Sequence, residues 1–298
     1  MSDPGSGSPG PATAPSAEAR AGRVRAQLAG TRFGDVRWLA ETGSTNADVL
    51  ELAAQGEAEG VVLVADHQLA GRGRRGRTWE APPEASLLWT VLLRPPSSVA
   101  ALTTMATALA VTEALATRFD LDVRLKWPND LVWSGDSAGS DRKLAGILAE
   151  AAWPAGSSIA SGWSEPRGSQ RAVVAVGVGL NVNWGTTMPE HLRSGAVSLD
   201  ELLDGRTVDR EDLLVAILTA LERTYALLLQ GSEGADVVRS RWRARSATLG
   251  RRVRVDLGAE DVVGEAVDVS AEGHLVVRTL EGDRRTLAVG DVVHLRPL

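Results

Sequence analysis

The sequence predicts an α+β fold: a large domain of interleaved helices and strands, then a small all-β unit. Three observations carry this. Between residues 36 and 184, apolar runs of strand length are interspersed with stretches of helical periodicity. Two long amphipathic stretches follow at 208–230 and 235–246. From about 249 onward, "RRVRVDL", "DVVGEAVDVS", "HLVVRTL", "RRTLAV" and "DVVHLRPL" are short β segments at close spacing, as in a small barrel. A chain of 298 residues can bury one full core and a smaller one.

The N-terminal stretch "MSDPGSGSPGPATAPSAEA" is rich in Pro, Gly, Ser and Ala, so residues 1–20 are expected to form a disordered tail. The large domain is expected over 21–247 and the small one over 248–298. "AEARAGRVRAQLAG" (17–30) has helical character, and "VRWLAE" (36–41) alternates as a strand. In "STNADVLELAAQG" (44–56), Thr45 and Asp48 have capping-box spacing and Val49, Leu50, Leu52 and Ala53 form an apolar face, so a helix begins near Ser44 to Asn46. "VVLVAD" (61–66) and "SLLWTVLL" (86–93) read as buried strands, and 99–118 as a long Ala/Leu/Thr helix. Strands are expected at 122–127 and 130–133 around a turn, at 143–151, and at 172–184 in the core. The segments 134–142 and 153–171 are Gly/Ser/Pro-rich and read as exposed loops.

Composition narrows the function classes. With 44% hydrophobic and 23% charged residues the chain is of ordinary globular type, and no apolar run is read as approaching the roughly 18 residues of a membrane helix. The N-terminus lacks the charged start and apolar run of a signal peptide, so a cytoplasmic protein without membrane attachment is expected. Zero cysteines exclude disulfides and thiolate metal sites. His67, His191, His274 and His294 show no short-range ligand spacing, so no structural zinc is expected and the histidines are read as non-functional.

Of 32 basic residues 30 are arginine, which makes Lys126 and Lys143 informative, as are the four asparagines, Asn46, Asn129, Asn181 and Asn183. The stretch "GRGRRGRTW" (71–79) packs four arginines and three glycines into seven positions of a chain whose net charge is −6. Gly71, Gly73 and Gly76 are expected to permit positive φ and close approach of backbone N–H groups to an oxyanion, with Arg72, Arg74, Arg75 and Arg77 as forked donors. Polyphosphate and carboxylate both suit such a loop, and so does an unspecific RNA strip. "KWPND" (126–130) holds Lys126 at a strand end beside a turn that Asn129 and Asp130 can close. "GVGLNVNW" (177–184) is a glycine-bearing strand, which calls for a ligand close to the backbone, with Asn181 and Asn183 expected on one face. "RKLAGILAE" (142–150) repeats that logic around Gly146, with Lys143 a weaker candidate. Ser44, Thr45 and Asn46 either cap their helix or offer polar atoms to an amide-like group. Gln68 is open to the same two readings, and Trp79 could stack on a base.

Taken together, "STNAD", "HQLAGRGRRGRTW", "KWPND", "RKLAGILAE" and "GVGLNVNW", in this order and ahead of a small β domain, resemble the biotin protein ligase family from about residue 36 to the end. The resemblance implies a catalytic domain with a mixed β-sheet flanked by helices, of the class II synthetase-like, biotin/lipoate ligase type, plus a small C-terminal SH3-like β-barrel. It implies activation of biotin with ATP and Mg2+ to biotinyl-5′-AMP, then transfer to a lysine of a biotin carboxyl carrier protein domain of acyl-CoA carboxylases. It assigns biotin contacts to Ser44, Thr45, Asn46, Gln68, Arg72, Gly73, Arg74, Lys126 and Gly146. It assigns ATP contacts to Arg75, Arg77, Trp79, Asn129 and Asn181, and catalysis to Lys126 and Arg74, with the arginine loop closing as a lid. Mg2+ is expected to arrive with ATP rather than in a protein-only site. Only about 35 residues precede the first strand, so no DNA binding is expected, and a monomer or weak dimer is implied. Two other readings stand beside this one: a lipoate–protein ligase with the same two-step chemistry, and a non-catalytic nucleic-acid or anion-binding module built on the arginine strip.

Overall fold

The computed structural model describes residues 15–135, 141–152 and 171–295. The large domain contains strands β1 (Val36–Thr42), β2 (Val62–Gln68), β3 (Ser86–Leu93), β4 (Arg124–Lys126), β5 (Asp130–Ser134), β6 (Asp141–Ala152) and β7 (Val173–Asn181). Its helices are α1 (Ala17–Gln27), α2 (Thr45–Ala54), α3 (Thr103–Phe119), the single turns α4 (Glu190–Arg193) and α5 (Leu199–Leu202), α6 (Arg210–Leu228) and α7 (Ser232–Ala244). The strands form one sheet in the order β1-β2-β3-β7-β6-β5-β4, parallel only between β1 and β2. This is the mixed sheet expected.

Strand alternation divides the sheet into two unlike faces. Val62 and Val64 of β2, Leu87, Trp89, Val91 and Leu93 of β3, and Val174, Val176, Val178 and Leu180 of β7 face the main core with α1, α3 and α6. On the other face, Leu63, Leu92, Val173 and Ala175 pack under Val49 of α2. Farther along β7 that second face carries Gly177 and Gly179, so the side-chain layer thins and a trough opens beside α2.

A buried ionic cluster fixes α1 and α6 to the sheet. Asp66 accepts from Arg20 at 2.8 Å and from Trp38 Nε1 at 3.0 Å, and pairs with Arg210 at 2.8 Å. Arg20 also pairs with Glu84 at 2.5 Å. Residues 17–20, expected within the tail, instead belong to α1, which starts at Ala17, and Arg20 is buried. Residues 1–14 lie outside the described residues, as do 136–140 and 153–170 of the two expected loops, whereas Ser134 closes β5 and Asp141 opens β6. A second difference concerns apolar length. Ser97–Phe119 is long and apolar enough to cross a membrane, but 72% of its most apolar stretch is buried inside the protein, where α3 packs on α6.

The C-terminal unit is an antiparallel sheet of β8 (Arg252–Asp256), β9 (Asp261–Val269), β10 (Leu275–Thr279), β11 (Arg284–Leu287) and β12 (Asp291–His294), in the order β11-β10-β9-β8-β12. It is joined to the large domain through polar contacts. Trp127 N–H donates to Thr248 Oγ1 at 3.0 Å and Trp127 Nε1 to the Gly273 carbonyl at 3.1 Å. His294 Nδ1 lies 2.8 Å from Asp141 Oδ2, which also accepts from Arg251 at 3.0 Å. Burial pushes the His294 imidazole below its ordinary value, against the pull of Asp141. Burial alone would raise the Asp141 carboxyl, but Ser134, His294 and Arg251 bring it below its usual range. The histidine read as idle thus has a structural role.

Candidate active site

The trough holds a cavity of about 220 Å³ lined by five separated stretches of chain: 44–46 with Gln68, the arginine loop, 126–130, 143–148 and 177–179, with Asp291 and Val292 added from the C-terminal unit. At its floor, Ser44 is the N-cap of α2 but makes no side-chain cap bond, and its hydroxyl has no partner among the described residues. The expected capping box does not form, because Asp48 accepts instead from the Thr42 hydroxyl at 2.5 Å. The cap comes from β2: Gln68 Oε1 accepts from Thr45 N–H at 2.8 Å and from the Thr45 hydroxyl at 3.0 Å, leaving its amide nitrogen as a donor. Asn46 is fixed at both ends, with Nδ2 donating to Glu150 at 2.7 Å and to the Leu148 carbonyl at 3.1 Å, and Oδ1 lying 2.7 Å from the Thr90 hydroxyl.

The glycines explain how these groups reach the sheet. A Cβ on Gly177 would stand 2.0 Å from Asn46 Oδ1, and one on Gly179 2.5 Å from the Trp79 ring. A Cβ on Gly146 would come within 3.0 Å of Lys143 Nζ. The sheet has no side chain at these points so that the floor and the loop can lie directly on backbone.

The arginine strip forms a short hairpin. Arg72 bridges Thr78, Gly73 N–H donates to the Arg77 carbonyl at 2.7 Å, and Trp79 N–H donates to the Gly71 carbonyl at 2.9 Å. Of the three glycines expected at positive φ only Gly76 adopts it, at 72°. Gly71 is required for another reason: a Cβ there would meet the Trp79 carbonyl at 2.3 Å. The second left-handed residue is Arg75, with φ 55°. Trp79 lays its indole over Gly146 and Gly179, and Lys143 Nζ sits 5.4 Å from the ring centroid. Lys143 also pairs with Asp130 at 2.7 Å.

The electrostatics are those of a cation cluster short of counter-charge. Arg74 reaches Asn129 Oδ1 at 3.5 Å; burial pushes its guanidinium below the usual value, Asp130 pulls it back, and neighbouring Arg75 and Arg77 push it down again. Lys126 lines the same cavity and has neither a hydrogen bond nor an ion pair among the described residues. Arg72 lies 3.9 Å from Glu150. Partly buried cations left without counter-charge favour an anion, and this arrangement is suited to receive one.

Most residues expected at the site meet here: Ser44, Thr45, Asn46, Gln68, Arg72, Gly73, Arg74, Arg77, Trp79, Lys126, Asn129 and Gly146 all line the cavity. Arg75 and Asn181 do not. Arg75 turns outward to Asp291 and the Asp256 carbonyl. Asn181 is buried, and its Nδ2 donates to the Val197 carbonyl at 3.1 Å. Asn183 lies beyond the end of β7, bonded to both backbone groups of Val208, so it does not share a strand face with Asn181. Asn129 and Asp130 do not close their own turn; Asn129 donates to the Ile147 carbonyl at 2.6 Å. Asp130 and Asp291 were missed as lining residues. The rarity of lysine pointed to Lys143 and hence to its partner Asp130, but no local signal singles out Asp291.

Comparison with known proteins gives a consistent result. Residues 39–156 match the biotin/lipoate A/B protein ligase family and residues 248–295 the biotin protein ligase C-terminal domain. The chain is 38% identical to biotin–[acetyl-CoA-carboxylase] ligase of Mycobacterium tuberculosis, over 92% of this chain and 94% of that protein. It is 33% identical to the ligase of the same name from Paracoccus denitrificans, over 85% of this chain and 98% of the relative. Among solved structures, biotin protein ligase from Aquifex aeolicus in complex with biotin and ATP superposes with a TM-score of 0.65 at 27% identity, covering 88% of this chain and 99% of that one. The chain belongs to the biotin protein ligase family.

Proposed function

We infer that the protein is an ATP-dependent ligase that joins biotin to a lysine of a biotin carboxyl carrier domain in an acyl-CoA carboxylase. In the first step a biotin carboxylate oxygen bonds to the α-phosphorus of ATP, the bond to the β-phosphate oxygen breaks, and biotinyl-5′-AMP and pyrophosphate result. In the second, the carrier lysine amine attacks the acyl carbon, an amide forms, AMP leaves and the amine gives up a proton. The observation that carries this reading is the meeting of Arg74 and Lys126, both short of counter-charge, in one cavity. Two anions held about 4 Å apart repel by ~4 kcal/mol at an effective dielectric near 20, so the first step needs fixed cations at the junction. No protein nucleophile is required.

Within this reading Ser44, Thr45, Asn46 and Gln68 hold the polar ring of biotin: the Ser44 hydroxyl and the Gln68 amide nitrogen are the polar groups left over after the internal bonds are made. Arg72, Gly73, Arg74, Lys126 and Gly146 flank the carboxylate and the acyl-phosphate. Trp79, Arg77 and Asn129 form the nucleotide side. Within this reading Mg2+ enters with the triphosphate. A cytoplasmic location fits the use of ATP. The test is exchange of labelled pyrophosphate into ATP: biotin should support it and lipoate should not. Exchange with lipoate alone would give the lipoate reading, and no exchange with either acid would overturn both.

A further inference from the structure

We propose that Arg75 and Asp291 form a strap by which the C-terminal unit positions the arginine loop over the cavity. Resting on the function just proposed, this makes Arg75 a positioning residue rather than a contact to ATP.

Consecutive arginines of the loop point in opposite directions: Arg74 turns in to Asn129, and Arg75 turns out to the C-terminal unit. Arg75 achieves this through a left-handed backbone, φ 55° and ψ 37°, which is unfavourable for a non-glycine residue. A glycine there would remove the strain, so an arginine at that place implies that its side chain is used. Its Nη1 donates to the Asp256 carbonyl at 3.3 Å and to Asp291 Oδ2 at 3.3 Å. The guanidinium lies close against the turn between β8 and β9, where a Cβ on Gly258 would stand 3.0 Å from Arg75 Nη2. Asp291 opens β12, lines the cavity itself and also binds Arg77. One carboxylate thus holds two loop guanidinium groups, and Arg74 and Trp79 between and beside them are carried into place. The loop is fastened at its tip by a unit more than 170 residues away in sequence.

The consequence is retention of the adenylate. A strap of partly exposed ion pairs adds little to global stability but biases the loop toward closure. Protein loaded with labelled biotin and MgATP, then chased with unlabelled biotin, should lose adenylate about three- to tenfold faster in Arg75→Gln and Asp291→Asn, the range expected for one or two such pairs. The double variant should lose it faster by less than the product of the two single effects, because the Arg75–Asp291 pair is lost only once, and Arg75→Lys, which keeps the charge, should stay close to wild type. A second readout needs no ligand: trypsin should cut after Arg72, Arg74 and Arg77 several-fold faster in Arg75→Gln at an unchanged melting temperature. Unchanged release and unchanged cleavage in Arg75→Gln, or additive effects in the double variant, would overturn the strap. If wild-type protein formed no adenylate, the proposed function would fail while the trypsin comparison still decided the strap.

Discussion

Replacing Gly179 by alanine tests whether the loop tryptophan is part of the nucleotide side of the site. The new Cβ would stand 2.5, 2.7 and 2.8 Å from three atoms of the Trp79 indole, against a sheet that cannot move without breaking the ladders to β3 and β6. Ordinary contact needs roughly 3.4 Å or more, so the indole must withdraw by about 1 Å. Such overpacking costs ~1–3 kcal/mol. Because Trp79 belongs to a hairpin held by few bonds, the displacement should fall on the loop rather than on the core. Expressed in the nucleotide step, 1–3 kcal/mol is roughly a 5- to 150-fold loss in kcat/KM for ATP. Steady-state pyrophosphate exchange at saturating biotin, with ATP varied, measures it directly. In a Trp79→Ala background the added methyl group should have no further effect. Wild-type kcat/KM for ATP in Gly179→Ala would refute the placement of the indole.

Other outcomes follow from the same packing and charge arguments. Asp66→Asn leaves Arg20 and Arg210 buried with only Glu84 as charge partner, and should lower unfolding free energy in urea by about 3–5 kcal/mol; a loss under about 1 kcal/mol would contradict the role given to this cluster. His294 sits below its ordinary value of 6.5 in the folded protein, so the unfolded chain takes up the proton first as pH falls. Stability should therefore decline as pH drops below about 6.5 and level off once the folded imidazole is protonated too. In His294→Gln that part of the decline should vanish; an unchanged pH profile of thermal unfolding would count against the burial of His294 between the two domains.

Local signals made much of this fold legible. Runs such as "SLLWTVLL" are strands because every residue of β3 is buried between the two faces, and the helix after Ser44 begins where its polar cluster stands. The site residues were legible where residue type was scarce: both lysines of the chain line the one cavity. What could not be read was pairing between distant positions. The cap of α2 is supplied by Gln68 from another strand, which a local capping-box pattern conceals. Glycines 71 and 76 look equivalent in sequence, yet one is needed for close approach and the other for backbone conformation. Arg75 takes up the conformation a sequence reading gives to glycine, because a contact with β12 holds it there. Asn181 and Asn183 share a spacing that suggested one face, but β7 ends between them and each amide serves a different loop.

The central claim is that unpaired cations at residues 74 and 126 stabilise the junction where an acid meets a nucleotide. Lys126→Ala isolates it, since Lys126 Nζ has no hydrogen bond or ion pair among the described residues whose loss would unsettle the fold. The measurement is the single-turnover rate of biotinyl-5′-AMP formation at saturating biotin and MgATP, with the melting temperature recorded alongside. A loss of about 10²- to 10³-fold is expected, the scale of removing one fixed charge from such a site, with the melting temperature within about 2 °C of wild type. A rate within twofold of wild type in a folded Lys126→Ala protein would contradict the account.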